Sequence, residues 1–349
     1  MATTFQPHSI FAGDFPAAGT PQEKLRFLLD YAILAPSSHN SQPWRFRLHG
    51  EYVELHADRA RALPIVDPQD RELIISCGAA LGHLQVALRR FGYTGNIQVF
   101  PDPTNRDLLA CIGLGETHLP TSHDERLFQS LFARHTNRNA FHKEYIPEEI
   151  VARLEAEAKR EGVWMDVVPE GERREALAQC IAQADRDQLA DPRFRRELAS
   201  WIRPHAADPS LPQDGMPSES LGMPGLIADV GPFLVRTFDT GVLISARDRQ
   251  LTINSPLLVV FGTEEDTPLA WLQTGQALSD LLLYVTTEGI VSSFMNAPLE
   301  VAELRAQVGE ALRREGYPQL VLRLGYSDPT APSPRRPLSD VLESADAEQ

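Results

Sequence analysis

Apolar positions recur at helical spacing in several long segments and alternate or run continuously in short ones, so helices and strands are interleaved along the chain. A helix is predicted from Thr20-Pro21-Gln22-Glu23, where a Thr cap, a Pro in the first turn and a Glu three residues after the cap form a capping box. Leu25, Leu28, Ala32 and Ala35 continue it and Pro36 stops it. Trp44–His49 and Tyr52–Ala57 read as a hairpin turning at Gly50. Asp67-Pro68 is expected to open a long helix with Leu73, Cys77, Leu81, Leu84, Leu88 and Phe91 on one face and Gly92 as its stop. Strands are expected at Ile97–Phe100 and Leu108–Leu114.

The second half restates this plan. Thr267-Pro268 opens a helix carrying Leu269, Leu272, Leu278, Leu281 and Val285, and Gly289 ends it. Without gaps, CGAALGHLQVALRRFGY from Cys77 and TGQALSDLLLYVTTEGI from Thr274 share Gly, Ala, Leu, Leu and Gly. Such a match supports an internal duplication. The polar stretch Gly115–Asp124 is the expected boundary, giving halves at 20–120 and 125–342. Further helices are predicted at Glu125–Ala133, Pro147–Arg160 and Gly171–Ala190. Strands are predicted at Trp164–Val168, Pro256–Gly262 and Gln319–Leu324. Pro204–Pro232 is broken repeatedly by Pro and Gly and reads as a long excursion, either a surface loop or a lid. The tail after Leu342 is expected to be disordered.

The chain of 349 residues carries 42% hydrophobic and 23% charged residues, ordinary for a folded protein. Its net charge of −15 argues against a nonspecific nucleic-acid binder. No apolar run suffices for a membrane-spanning helix, and the opening residues lack the basic start of a secretory signal. Cys77, Cys111 and Cys180 are dispersed and form no CxxC pair, so neither a disulfide framework nor a zinc site is signalled and a cytoplasmic setting is expected. Neither a phosphate loop, a nucleophile elbow nor a complete dinucleotide fingerprint is present.

Three segments carry candidate chemistry. In Ala35-Pro36-Ser37-Ser38-His39-Asn40-Ser41-Gln42-Pro43-Trp44 a helix stops, a polar turn follows and a strand begins. Its hydroxyls, amides and backbone N–H groups suit the edge of a flat heteroaromatic ring, or serve an ordinary helix-to-strand loop. His39 within it reads as a solvated or locally hydrogen-bonded residue, or as a proton donor. Arg134-His135-Thr136-Asn137-Arg138 places two arginines around a hydroxyl, either converging on an oxyanion or capping a solvated helix end. Pro332-Ser333-Pro334-Arg335-Arg336-Pro337 offers two more arginines held by rigid prolines, or a basic tail.

Taken together, these segments resemble the nitroreductase-like FMN-dependent oxidoreductases. APSSHNSQPW is similar to that family's Ala-Pro-Ser-x-x-Asn-x-Gln-Pro-Trp signature, and Arg134, Thr136 and Arg138 to its Arg-x-Ser/Thr-x-Arg phosphate motif. Arg335 and Arg336 resemble its C-terminal phosphate contacts, and Ala297-Pro298-Leu299-Glu300 its flavin-flanking loop. The resemblance is to the twin-domain, Acg-type subgroup and spans about Thr20 to Leu342.

That resemblance implies an α+β fold of two tandem nitroreductase-like halves, each a mixed sheet flanked by helices. The first half carries the ring-covering turn without a phosphate motif, and the second the arginines without the turn. One chain would thus form a pseudo-dimer with one complete FMN site, as a monomer or weak homo-oligomer. Pro36, Ser37, Ser38 and Asn40 would orient the ring, Arg134, Thr136, Arg138, Arg335 and Arg336 would hold the phosphate and ribityl tail, and Gln42 and Pro298 would also belong to the cofactor site. The implied activity is ping-pong, NAD(P)H-dependent reduction of a nitroaromatic or quinone. The flavin is the reactant, so no catalytic side chain is expected. The alternative is a protein that sequesters FMN beneath the Pro204–Pro232 excursion with little turnover.

Overall fold

The computed structural model describes residues 10–204, 212–221 and 230–343. Helix α1 (Pro21–Ala32) opens on the expected capping box, with both reciprocal hydrogen bonds between Thr20 and Glu23 made. Strands β1 (Trp44–His49) and β2 (Tyr52–Ala57) form the hairpin. Helix α2 spans Arg71–Arg90. It starts four residues later than the Asp67-Pro68 signal suggests, because residues 67–70 close a turn of their own, with the Asp70 N–H on the Asp67 carbonyl. Asp67 still serves the helix at a distance, its carboxylate accepting from the Leu73 N–H at 2.9 Å. At the other end the Tyr93 N–H reaches the Leu88 carbonyl and the Gly92 N–H reaches that of Arg89, a Schellman closure.

Strands β3 (Asn96–Val99) and β4 (Leu108–Gly113) precede α3 (Ser122–Ala133) and α4 (Glu148–Glu157). Then follow β5 (Val163–Val167), α5 (Glu172–Ala190), α6 (Pro192–Ser200), β6 (Ile202–Arg203) and β7 (Met216–Pro217). Among the described residues the chain continues through α7 (Gly231–Thr237), α8 (Gly241–Ile253), β8 (Leu257–Thr263) and α9 (Pro268–Thr287). It ends with β9 (Val291–Phe294), α10 (Ala302–Leu312), β10 (Tyr317–Gly325) and β11 (Leu342–Glu343). Helices α6, α7, α8 and α10 are additions to the sequence reading. Helix α8 has hardly any one-sided apolar pattern, since Val242 and Leu243 face outward beside buried Ser245 and Thr252.

Part of the excursion is ordered. Met216–Pro217 pairs in parallel with Ile202–Arg203, and α7 begins at Gly231, just before the excursion's end. Residues 205–211 and 222–229 of the excursion lie outside the described residues, as does the tail beyond Glu343.

Two sheets result. One has the order β11-β1-β2-β4-β3 and the other β5-β8-β10-β9. The first is mixed, with β11 parallel to β1 and every other pair antiparallel. The second is antiparallel within its named strands, and Thr136 adds a parallel bridge to Ser292 at its edge. Strand β8 is buried along its whole length, as its continuous apolar run requires.

The long helices α2 and α9 cross against each other between the sheets. A Cβ placed on Gly78 would lie 2.2 Å from the Leu272 carbonyl, and one on Gly275 would lie 2.0 Å from the Ile75 carbonyl. These are the glycines aligned by the internal repeat, and each meets the other's helix at the matching position. Such reciprocal contact is the mark of a two-fold interface, here folded into one chain. Leu81, Leu84, Leu88, Leu278, Leu281 and Leu282 line the shared core with almost no exposure, each contributing about 1.5–3 kcal/mol through burial. An aromatic cluster of Phe15, Phe27, Tyr31, Phe91, Phe128 and Phe132 seals α1 and α3 onto α2.

Candidate functional site

The turn after α1 is strained and tied down. His39, Asn40 and Gln42 all have left-handed backbones, with φ of 51°, 53° and 52°. Such a conformation costs a residue with a Cβ on the order of 1 kcal/mol and persists only where the surroundings impose it. They do so here. The Asn40 amide nitrogen donates to the Gly215 carbonyl at 2.9 Å and the Pro334 carbonyl at 3.0 Å. Gln42 donates to the Gln213 carbonyl at 3.0 Å and accepts from the Arg336 N–H at 2.9 Å. Ser37 accepts from the Gln42 N–H within the turn. The turn is therefore clamped between the excursion and the C-terminal segment.

This geometry sorts the predicted residues. Pro36, Ser37, Ser38 and His39 line a cavity of about 240 Å³, together with Thr136, Arg138, Met216, Phe194 and the Phe294–Ala297 segment. A narrower pocket adjoins it, sharing Pro36, Ser37, Thr136, Arg138 and Met216, and adds Asn40, Arg134, Ser333 and Arg335. Arg134 and Arg335, far apart in sequence, thus meet in one pocket, and both donate to the Leu34 carbonyl. Gln42, Pro298 and Arg336 line neither space. Arg336 turns away and donates to the Gln42 and Asp340 carbonyls. Of the two adjacent arginines it is Arg335 that points inward.

The narrow pocket is cationic, and among the described residues no Asp or Glu lines it. Nε and Nη1 of Arg134 and Nε of Arg335 are buried with no hydrogen-bond partner among the described residues. Nη1 of Arg335 accounts for itself on Asn40 Oδ1 and on the Ser333 and Pro334 carbonyls. Among the described residues the Arg138 side chain hydrogen-bonds only the Met216 sulfur, at 3.5 Å. Burial lowers the guanidinium of Arg134 to about 10, as it does that of Arg138, where the Arg247 charge adds to it. Burial and the neighbouring Arg134 charge lower Arg335 to about 9. Cations packed this way invite an anion.

The wide cavity is acidic on the opposite side. Glu72, Asp185, Asp248 and Glu300 line it. Burial raises the Asp185 carboxyl to about 8, helped by the Asp248 charge, and raises Glu300 well above the usual range, helped by Glu72. Glu72 accepts from the Ser38 hydroxyl, and Glu300 accepts from Gln188 at 2.6 Å. His39 is half-buried. Its Nδ1 has no hydrogen-bond partner among the described residues, and burial together with the Arg138 charge lowers the imidazole to about 4.

Asp185, Asp248 and Glu72 are additions to the sequence reading. Asp185 had a usable signal: with Leu177 and Ile181 it forms a single helical stripe, so an acid stands on a buried face. Among the described residues no His, Cys, Asp and Glu cluster is arranged to hold a metal, and no helix is long and apolar enough to cross a membrane.

Comparison with known proteins agrees with this architecture. A Mycobacterium tuberculosis protein named "Putative NAD(P)H nitroreductase" is 36% identical over 328 residues, covering 92% of this chain and 91% of its own. The M. tuberculosis protein named "Putative NAD(P)H nitroreductase acg" is 25% identical over 322 residues, covering 91% and 95%. Among solved structures, the FMN-dependent nitroreductase NfnB of Mycobacterium smegmatis, in complex with NADPH, shares 20% identity and a TM-score of 0.42, over 63% of this chain and 97% of that one. No family model matches the chain. With over a third of its residues shared along nearly its full length, the chain belongs to the NAD(P)H nitroreductase family, in its Acg-type branch.

Proposed function

We propose that this chain binds FMN across its two halves and reduces an electron-poor acceptor, a nitroaromatic or quinone, with NAD(P)H in a ping-pong cycle. The observation that carries the reading is the pair of buried guanidiniums, Arg134 and Arg335, with unpartnered N–H groups beside a cavity of ring-bearing size. A phosphate monoester fits this donor set. It carries nearly two negative charges, and each charge-assisted hydrogen bond contributes about 1.5–3 kcal/mol. Family membership and the FMN-dependent enzymes among the solved structures support the choice of flavin.

Arg134, Arg335, Arg138 and Thr136 would hold the phosphate and ribityl tail. Pro36, Ser37 and Ser38 would flank the ring on one side and the Ala297–Glu300 loop, shaped by Pro298, on the other. Gln42 and Arg336 would hold the turn in place rather than touch the cofactor, and Asn40, which lines the narrow pocket, would both brace the turn and border the cofactor. When bound, the flavin supplies two-electron exchange between NAD(P)H and the acceptor. The protein contributes orientation, a cationic anchor and an acidic wall.

The visible spectrum of the purified protein, recorded anaerobically before and after NADPH and NADH, tests the proposal. A bound flavin that bleaches supports it. A colourless protein that ignores added FMN defeats it.

A second reading has an observation of its own. Residues 213–216 are docked on the turn through Asn40 and Gln42, and Met216 lines both pockets. A cover so placed suits a protein that sequesters FMN. A spectrum that resists NAD(P)H but bleaches with dithionite would favour that reading.

A further inference from the structure

We infer that Asp185 is the proton-holding acid of the wide cavity, a catalytic residue that delivers the proton an organic acceptor takes up with its two electrons. This inference rests on the oxidoreductase reading above.

Four carboxyls line the cavity, and two are held by hydrogen bonds. Glu72 is held by Ser38 and by Arg71, and Glu300 by Gln188. Burial raises the Asp248 carboxyl, and the charges of Arg247, Arg323 and Arg138 oppose that rise. Asp185 differs. It is 7% exposed, and its Oδ2 has no hydrogen-bond partner among the described residues. The charged and titratable groups around it are Asp248 from α8 and its own neighbour Arg186, with Arg138, Glu72, Glu300 and a neutral His39 lining the same cavity. Burial and the negative Asp248 outweigh Arg186, so the carboxyl keeps its proton at neutral pH. An uncharged acid lining a cavity is a hydrogen-bond donor poised to become a proton donor.

The chemistry needs one such proton. A quinone, NAD(P)H and H⁺ give hydroquinone and NAD(P)⁺; a nitro compound, NAD(P)H and H⁺ give the nitroso compound, NAD(P)⁺ and water. NAD(P)H supplies both electrons and one hydrogen. The other proton comes from Asp185: its O–H bond breaks as a new O–H bond forms on the acceptor, and water reprotonates the carboxylate afterwards.

The test compares wild type with Asp185→Asn as flavin-loaded protein. Each is reduced anaerobically with NADPH, then mixed with a neutral benzoquinone or with ferricyanide, which takes electrons and no proton. The expected result is unchanged reduction by NADPH, quinone reoxidation slowed on the order of 100-fold, and unchanged reoxidation by ferricyanide. The wild-type quinone rate should fall above about pH 8, and Asp248→Asn should move that limb to lower pH. Undiminished quinone reoxidation, or an equal loss with ferricyanide, overturns the proposal. If NADPH leaves wild type oxidised, the oxidoreductase reading fails instead; dithionite-reduced protein still runs the reoxidation comparison.

A readout without cofactor completes the test. Because the folded acid holds its proton more tightly than the unfolded one, apoprotein stability should fall as pH rises from about 4 to about 8. Asp185→Asn should flatten that slope, and parallel slopes overturn the proposal. Should Asp185→Asn not fold, Asp185→Ser carries the same expectations.

Discussion

Gly78 on α2 and Gly275 on α9 lie face to face, each Cα within 3.0 Å of where the other's Cβ would stand. A methyl group at either position must push the two helices apart, since the obstacles are backbone carbonyls of Leu272 and Ile75 and not flexible side-chain ends. We expect Gly78→Ala and Gly275→Ala each to cost about 1–3 kcal/mol or more in urea unfolding. The double variant should cost less than their sum, because one displacement relieves both clashes. Full additivity would show that the helices do not cross here.

The arginine pocket should respond with opposite signs with and without cofactor. Arg134→Met removes a buried charge that lacks a counter-ion, so the apoprotein should gain stability. The same change should weaken FMN binding about 10- to 100-fold, the loss of one charge-assisted contact. Paired calorimetric scans with and without FMN check both signs. Arg335→Ala should weaken FMN likewise, and Arg336→Ala less, since its side chain bonds to the Gln42 and Asp340 carbonyls.

Asn40→Ala should loosen two segments at once. The side chain donates to Gly215 and Pro334 and accepts from Arg335. Its loss should speed FMN release and also expose the chain near Arg203 to trypsin, because Arg203 is held by Asp214 next to the severed contact. Unaltered release together with unaltered cleavage would mean that the turn is held by other bonds.

Acid stability has an identifiable contributor in Asp266. Burial alone would raise its carboxyl, but hydrogen bonds from Arg305, Gln319 and Trp271 outweigh this and lower it to about 2. A lowered folded value means stability that is complete above about pH 4 and lost as pH falls toward 2. We expect Asp266→Asn to cost about 1–2 kcal/mol at pH 7, with wild type and variant converging near pH 2. Curves that stay parallel would assign the acid response to other groups.

What could be read in the sequence was local or repeated. The capping box at Thr20, the Trp44–Ala57 hairpin and the two glycine-bearing helices are each written in contiguous residues, and the repeat anticipates the Gly78–Gly275 contact. The inward choice between Arg335 and Arg336 was not legible. Both stand between prolines in the same local sequence, and contacts from the other half distinguish them, Arg335 with Asn40 and Leu34, Arg336 with Gln42. Helix α8 was hidden for a related reason: Val242 and Leu243 face outward while Ser245 and Thr252 are buried, so no apolar stripe marks it. The environment of His39 was not legible either, because neighbours remote in sequence, Arg138 among them, set it.

The parallel pairing of Phe46 with Leu342 has a consequence for how the molecule is made. The sheet whose strands leave the ribosome early gains its edge strand only after almost all of these residues have been synthesised. Until then β1 exposes a row of unpaired backbone groups, and the pocket lacks Arg335. Joining such distant residues is slow, because the closure entropy must be met before the contacts form. During synthesis this sheet therefore waits with an open edge, the kind of surface on which nascent chains pair with one another.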